Sequence, residues 1–506
     1  MTTLTARPAL IGSMESVARP GQSPIPRLLI AGLLSSVLMS GFINLIPSPF
    51  SGVYVATLVS DIIVGLMMAS LAARVIRRGG AVKVQGWVLS IALLILAYIA
   101  LVPFGPESLQ LQLAEIRTRV GYLIGAVYVY AFVRERRQQE QIINYATFLA
   151  VIVALIGVAQ QLRGSELPAW LIAAPGEIAF SYQGTEILRA NGLVGNTIVF
   201  AALMLMFMSL SLARALSKPG WIHLGLTLLF GGAVVASYSR MAIVLIPVVV
   251  MSVAALLSLG RQSASRLASP VVWSVLVALV VVLGAMASGS ADEFIESSFL
   301  ASGLFDGANA SVVGSTDRHF YQIAFAADAF LSSPLVGVGI GTQRMDSSWF
   351  ATQPVITDGA IWLVLAEGGL VVAIPTAVLL IACGLVLWRG RKAANLPWLP
   401  VGLAAFYAVQ LLPASLLNSA ILGKAVVVTG AVLFGLAATQ TCTSSGHDYP
   451  TDKRASVQSA SISSVRGHRY SGNRRVLETG PRSGGAGRLS SRSSVLDPSS
   501  WKGLSL

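Results

Sequence analysis

Charge is scarce in this sequence. Only 11% of its 506 residues are Asp, Glu, Lys or Arg, whereas a soluble globular domain carries about 25%. That deficit excludes an ordinary soluble enzyme. Two cysteines, Cys383 inside an apolar run and Cys442 just after the last one, exclude a disulfide scaffold. Four histidines, two of them (His447 and His468) in the polar C-terminal segment, form no metal-binding spacing. Acidic residues are also few, 22 against 35 basic ones, for a net charge of +13. What fills the sequence is apolar: 55% hydrophobic residues and a mean hydropathy of +0.73. The class left is an all-α polytopic membrane protein.

A bilayer-spanning helix needs about 20 apolar residues. Twelve candidate spans are predicted: 28–46, 53–73, 86–104, 118–133, 142–160, 192–212, 221–238, 241–259, 270–288, 360–388, 398–416 and 420–438. The first follows Arg7, Arg19 and Arg27. It is long enough to cross and a second run follows at once, which predicts an uncleaved helix instead of a signal peptide. Basic clusters at Arg74/Arg77/Arg78/Lys83, Arg134/Arg136/Arg137, Arg214/Lys218, Arg261/Arg266 and Arg389/Arg391/Lys392 then share the side of the N-terminus. The positive-inside rule places that side, and both termini, in the cytoplasm. The expected organisation is a cytoplasmic segment 1–27, a transmembrane domain 28–438, and a basic tail 439–506. The tail is Ser-, Gly- and Arg-rich and aperiodic, which predicts disorder. Its ten basic residues suit either contact with anionic lipid or plain solvation.

Three segments on the opposite side are long: 105–117, 161–191 and 289–358. The last should carry structure of its own. Phe320, Ile323, Ala327 and Phe330 recur at helical spacing, and Pro334 ends the pattern. Gly337-Val-Gly339-Ile-Gly341 lacks the strand–loop–helix setting and later lysine of a nucleotide loop and predicts a tight turn.

The basic excess is mostly topology. The cytoplasmic side holds 27 basic and 7 acidic residues, and the outer side 8 and 13, so nucleic acid is not needed to explain it. The outer cations are therefore the informative ones, since arginine's rigid fork suits phosphate oxygens. Arg240, in Ser237-Tyr238-Ser239-Arg240 between two spans, has no nearby carboxylate. Arg318 adjoins Asp317. Arg117 has no carboxylate at helical spacing and suits either a ligand or an interface anchor, whereas Arg119 stands four residues from Glu115, a local helix pair. Arg189, Arg163, Arg344 and Lys424 complete the set. Candidate bases are Asp358, Glu367 and His319. Asp358 and Glu367 are nine residues apart, on opposite faces of a regular helix. The run 360–388 exceeds a bilayer's need, so its first turns can stand above the lipid, and Gly368-Gly369 can kink it. Asp61, inside the second span, is expected to face the bundle.

Four segments taken together resemble the bacterial O-antigen ligase/polymerase superfamily. They are Arg189-Ala-Asn-Gly-Leu-Val-Gly-Asn196, Ser239-Arg240-Met-Ala, Arg318 with Pro334-Leu-Val-Gly-Val-Gly339, and Asp358-Gly-Ala-Ile-Trp-Leu-Val-Leu-Ala-Glu-Gly-Gly369. Order and spacing match across 28–438. The resemblance implies an inner-membrane glycosyltransferase that needs no cofactor and no metal. Its donor would be an undecaprenyl-pyrophosphate-linked oligosaccharide and its acceptor a sugar hydroxyl at the periplasmic face. It implies that Arg240 and Arg318 hold the pyrophosphate, with Arg189 and Arg117 as further candidates, and that Asp358, Glu367 or His319 takes the acceptor's proton. The ligase pattern has histidine where this chain has Asp358, and asparagine where it has Gly359. That departure favours repeat-unit polymerisation over attachment to lipid A core. Expected partners are the lipid-linked glycan, membrane lipid and polysaccharide-assembly proteins. Two readings of other classes stay open: a transporter of a lipid-linked sugar or small anion using Asp61 and Glu367, and a non-catalytic assembly component recruited through the tail.

Overall fold

The structure, a computed structural model, describes residues 24–46, 54–77, 84–168, 171, 179–182, 185–218, 220–259, 310–343, 347, 359–392 and 396–444. These form helices α1 (Ile25–Leu38), α2 (Val55–Arg77), α3 (Gly86–Leu101), α4 (Leu109–Arg119), α5 (Ile124–Phe132), α6 (Arg136–Arg163), α7 (Thr197–Ser217), α8 (Trp221–Ala236), α9 (Arg240–Ser258), α10 (Ala310–Ser332), α11 (Ala360–Gly390), α12 (Trp398–Val409) and α13 (Lys424–Ser444). One small antiparallel hairpin, β1 (Ala179–Tyr182) and β2 (Thr185–Leu188), pairs Ala179 with Leu188.

Among the described residues, seven helices are long and apolar enough to cross a membrane: Val55–Arg77, Gly86–Phe104, Arg136–Arg163, Thr197–Ser217, Met241–Ser258, Ala360–Gly390 and Lys424–Thr441. Three shorter apolar helices, α1, α8 and α12, stand with them. The chain is thus a helical membrane protein. The expected span 118–133 differs in form. Gly121–Leu123 is a 3₁₀ turn, and the α-helix after it is only Ile124–Phe132. The expected span 270–288 and the tail from 445 onward lie outside the described residues, as does most of 289–358. Within that last segment the expected helix is present as α10, longer than the apolar spacing alone indicated.

The core is built around α7 and α13, buried along most of their length. Helix α7 is apolar on every face, from Phe200 through Met206 to Ala213, and packs against α8, α9 and α12. Lipid gives apolar helices little reason to prefer one another, so polar contacts and close fit fix their register. The Ser209 hydroxyl donates to the Gly402 carbonyl at 2.9 Å, tying α7 to α12. Thr227 on α8 donates to Ser211 on α7 at 3.1 Å, and Gln139 on α6 donates to Thr439 on α13 at 2.7 Å. Large apolar side chains left on the outside, such as Ile62 and Leu66 on α2 or Leu89 and Leu96 on α3, suit contact with acyl chains.

Candidate functional site

Helix α11 is broken. Gly369 has φ 53° and ψ −155°, a combination essentially confined to glycine. Breaking a buried helix frees backbone groups that must find partners, and here the loop following α10 supplies them. The N–H groups of Val338 and Gly339 donate to the carbonyls of Ala366 (2.8 Å) and Glu367 (3.2 Å). Leu370 and Val371 donate in turn to Pro334 (2.9 Å) and Leu335 (3.0 Å). The fit leaves no room for side chains: a Cβ on Gly369 would lie 2.5 Å from the Leu335 carbonyl oxygen. One on Gly337 (φ 69°) would lie 2.5 Å from the Glu367 carbonyl carbon. The glycine run is therefore a turn moulded to a helix break, as its lack of a nucleotide-loop setting indicated, and Gly368-Gly369 does kink α11.

Beside the break, Glu367 is fully buried. One carboxylate oxygen accepts the Gln343 N–H at 3.0 Å, and the other is ion-paired with Arg119 Nη1. Arg119 also reaches Glu115 through Nε at 3.1 Å, the local pair its spacing indicated. One guanidinium thus serves two carboxylates, its side chain only 7% exposed, with the buried Tyr98 ring alongside. The arrangement locks α4, α11 and the glycine loop together.

Arg117 finds its carboxylate on another helix: Nη1 is 2.8 Å from Asp61 Oδ2. Tyr122 donates its hydroxyl to Asp61 Oδ1 at 3.1 Å. Lys424, at the head of α13, sits with Nζ 5.1 Å from the centre of the Tyr122 ring, a cation–π distance. Asp61 does face the bundle, held by Arg117 and the Tyr122 hydroxyl.

A second pair of resembling segments also meets. Arg189 donates from Nε to the Ser237 carbonyl at 3.2 Å, and the Ala190 N–H donates to the Ala236 carbonyl at 3.0 Å. Arg189 is thereby laid along the turn between α8 and α9. That turn is tight: Tyr238 has φ 51°, uncommon for a residue with a large side chain. The Ser239 N–H is held by Ser237 Oγ at 3.1 Å, and Gln161 donates to the Tyr238 hydroxyl at 3.2 Å. Arg240 is the first residue of α9; its side chain lies outside those described. Behind the segment, the fully buried Gln160 takes the N–H groups of Asn191 (3.0 Å) and Gly192 (2.9 Å) on one oxygen. It returns its own N–H to the Gly192 carbonyl at 2.7 Å. Asn196 caps α7, accepting from the Ile198 and Val199 N–H groups.

Arg318 and His319 lie in α10, but their side chains fall outside those described. Asp358 itself falls outside the described residues. Gly359 after it has φ 94°, and the Ala360 N–H donates to the Asn418 carbonyl at 3.1 Å, fixing where α11 starts. The lower half of α10 reaches α11 through Ala326 and Ala329 against Ala366. Among the described residues no three His, Cys, Asp or Glu side chains converge where a metal ion could sit. The partners that residue types alone did not reveal are Gln160, Gln343, Tyr122 and the Arg119–Glu367 pair. Gln160-Gln161 at the end of an apolar run was the one available signal, since a glutamine among apolar residues needs a partner.

Compared with known proteins, the chain matches no family model and no curated relative.

Proposed function

We propose that the chain is an inner-membrane glycosyltransferase that moves a glycan from undecaprenyl pyrophosphate to a sugar hydroxyl at the periplasmic face, in repeat-unit polymerisation. The observation that carries the reading is the pairing of the four resembling segments. The Arg189 segment docks on the Ser237–Arg240 turn, and the Pro334–Gly339 segment docks on the break of α11. Segments far apart in sequence therefore build two joints at helix ends, which is where a site for a membrane-embedded lipid donor belongs.

In this reading the acceptor oxygen forms a bond to the anomeric carbon as the bond from that carbon to the pyrophosphate oxygen breaks. The departing lipid pyrophosphate carries the electron pair away. Arg240 and Arg318 stabilise that growing negative charge, with Arg189 shaping the turn that presents Arg240. Arg117 has a lesser part, since Asp61 already engages it. Asp358 takes the acceptor's proton, because Glu367 is occupied by Arg119 and Gln343; His319 is the second base candidate. No cofactor is called for.

Arg240→Ala and Arg318→Ala test this in the parent bacterium. Each should abolish long-chain surface glycan while membrane abundance holds. Normal glycan in both variants would sink the reading. The species that accumulates separates subtypes: single lipid-linked repeats mark a lost polymerase, and full-length polymer stranded on the carrier marks a lost ligase.

A transporter reading draws on the break in α11, because broken helices form ion and substrate sites in transporters. Here the freed backbone groups of Ala366, Glu367, Leu370 and Val371 are bonded by the loop, which weighs against it. Uptake into proteoliposomes that depends on Asp61, without glycan transfer, would favour that alternative.

A further inference from the structure

We propose that the groove between α1 and the first half of α6 is a binding site for an anionic phospholipid, with an acyl chain in the groove and the phosphate on Arg27. This rests on the membrane placement of the helices and not on the glycosyl-transfer reading.

The two helices run in the same direction at this end. Arg27 Nη1 donates to Gln141 Oε1 at 2.9 Å; Ser35, two turns on along α1, and Tyr145, one turn on along α6, share a hydroxyl contact at 2.6 Å. Between these two ties lies an open groove of about 320 Å³, within the size range of small-ligand sites. Its wall is apolar, made by Leu28, Ala31 and Leu34 on one side and Ile142 on the other. Leu28, in that wall, is exposed, so the groove opens on the outside of the bundle, toward the lipid.

Its polar lining is Arg27, Gln141 and Tyr145, with Arg27 the one cation among them. Among the described residues no carboxylate lies within ion-pairing distance of Arg27, whereas Arg136, one turn before Gln141, is already engaged by Glu140 at 2.9 Å. An apolar slot capped by a guanidinium with one hydrogen bond and several donors to spare matches a lipid in which a phosphate sits directly above an acyl chain. With the termini in the cytoplasm, this mouth lies at the inner leaflet, where anionic lipids concentrate.

The test uses the purified full chain in mixed vesicles of phosphatidylethanolamine and phosphatidylglycerol, with a photo-crosslinking amino acid placed at Leu28. Mass spectrometry of the adducts is expected to show phosphatidylglycerol beyond its share of the vesicle. Arg27→Gln should lower that adduct about fivefold, the worth of one basic side chain at a membrane surface, and spare the phosphatidylethanolamine adduct. Ala31→Trp, which fills the groove, should lower both, and Arg136→Gln should change neither. Equal effects of Arg27→Gln and Arg136→Gln would overturn the proposal in favour of diffuse surface charge. Crosslinks to residues 1–23 or to a second copy of the chain would overturn it in favour of a protein occupant.

Discussion

Replacing Arg119 by methionine keeps much of the side-chain volume and deletes the charge. In the native protein that charge stands between Glu115 and Glu367, with side-chain exposures of 7% for Arg119 and 1% for Glu367. Removing one partner of a buried pair strands the other, at a cost of about 3–5 kcal/mol. The stranded group here is Glu367, with Glu115 as a second negative charge close by. Glu367→Gln is the milder change. The amide oxygen can accept from Gln343 or from Arg119 but not from both, so one buried donor loses its acceptor, at about 1–3 kcal/mol. Combining the two substitutions removes the stranded charge along with its partner. The double variant should therefore lose less than the two single losses added together, by about 0.5–3 kcal/mol. The assay is equilibrium unfolding of the purified protein in mixed micelles, driven by sodium dodecyl sulfate and followed by circular dichroism. Equal losses for R119M and E367Q, or strict additivity in the double variant, would refute the claim that Arg119 is the charge on which this joint depends.

The remaining expectations concern the helix break and the other two polar joints. Gly369→Ala should destabilise by at least the roughly 1–3 kcal/mol of a forced backbone conformation, since its Cβ would also meet Leu335. Gly384→Ala in the same helix, with open space around it, should be neutral or stabilising by about 0.5–1 kcal/mol; similar micellar unfolding curves for the two would contradict the account of the break. Gln160→Leu strands the N–H groups of Asn191 and Gly192, at about 1–3 kcal/mol for each, and should speed tryptic cleavage after Arg189; unchanged cleavage would show that Gln160 is not the strap. Asp61→Asn should cost no more than about 1 kcal/mol, because its pair with Arg117 is 42% and 29% exposed. A larger loss in the same unfolding assay would mean that Lys424 and Tyr122 depend on Asp61 more than the geometry indicates.

What was legible beforehand was local. Glu115 and Arg119 are neighbours on one helix face, Gly368-Gly369 is a weak point in any helix, and a glycine run before a span reads as a turn. Each rests on a spacing of a few residues, which helix geometry fixes. Apolar runs likewise located most helices, because lipid rewards length and composition regardless of neighbours. What could not be read was which partner a distant side chain meets. Nothing in the residues around Arg119 indicates Glu367, and nothing around Arg117 indicates Asp61 on the second helix. The shortness of α5 was hidden too: 118–133 is apolar enough for a span, but Gly121–Leu123 turns as a 3₁₀ helix, a backbone choice set by packing. The Arg189 segment meets the turn at Ser237 with Gln160 bonded behind it, a residue whose two-sided amide was visible only as a polar residue at the end of an apolar run.

The break in α11 also has a consequence for how the chain is put into the membrane. Residues 360–390 emerge from the ribosome as one long, largely apolar stretch with Glu367 as the charge in its first half, which an insertion machine reads as a single long rod. Its lower part, 370–390, already supplies the roughly 30 Å that a bilayer core requires. The loop that bonds the break precedes the helix in sequence, so it is synthesised first and is available when the helix arrives. Docking of 334–339 then converts the rod into a spanning helix and a separate stub. Substitutions in that loop should therefore change how deep a helix sits to which they do not belong.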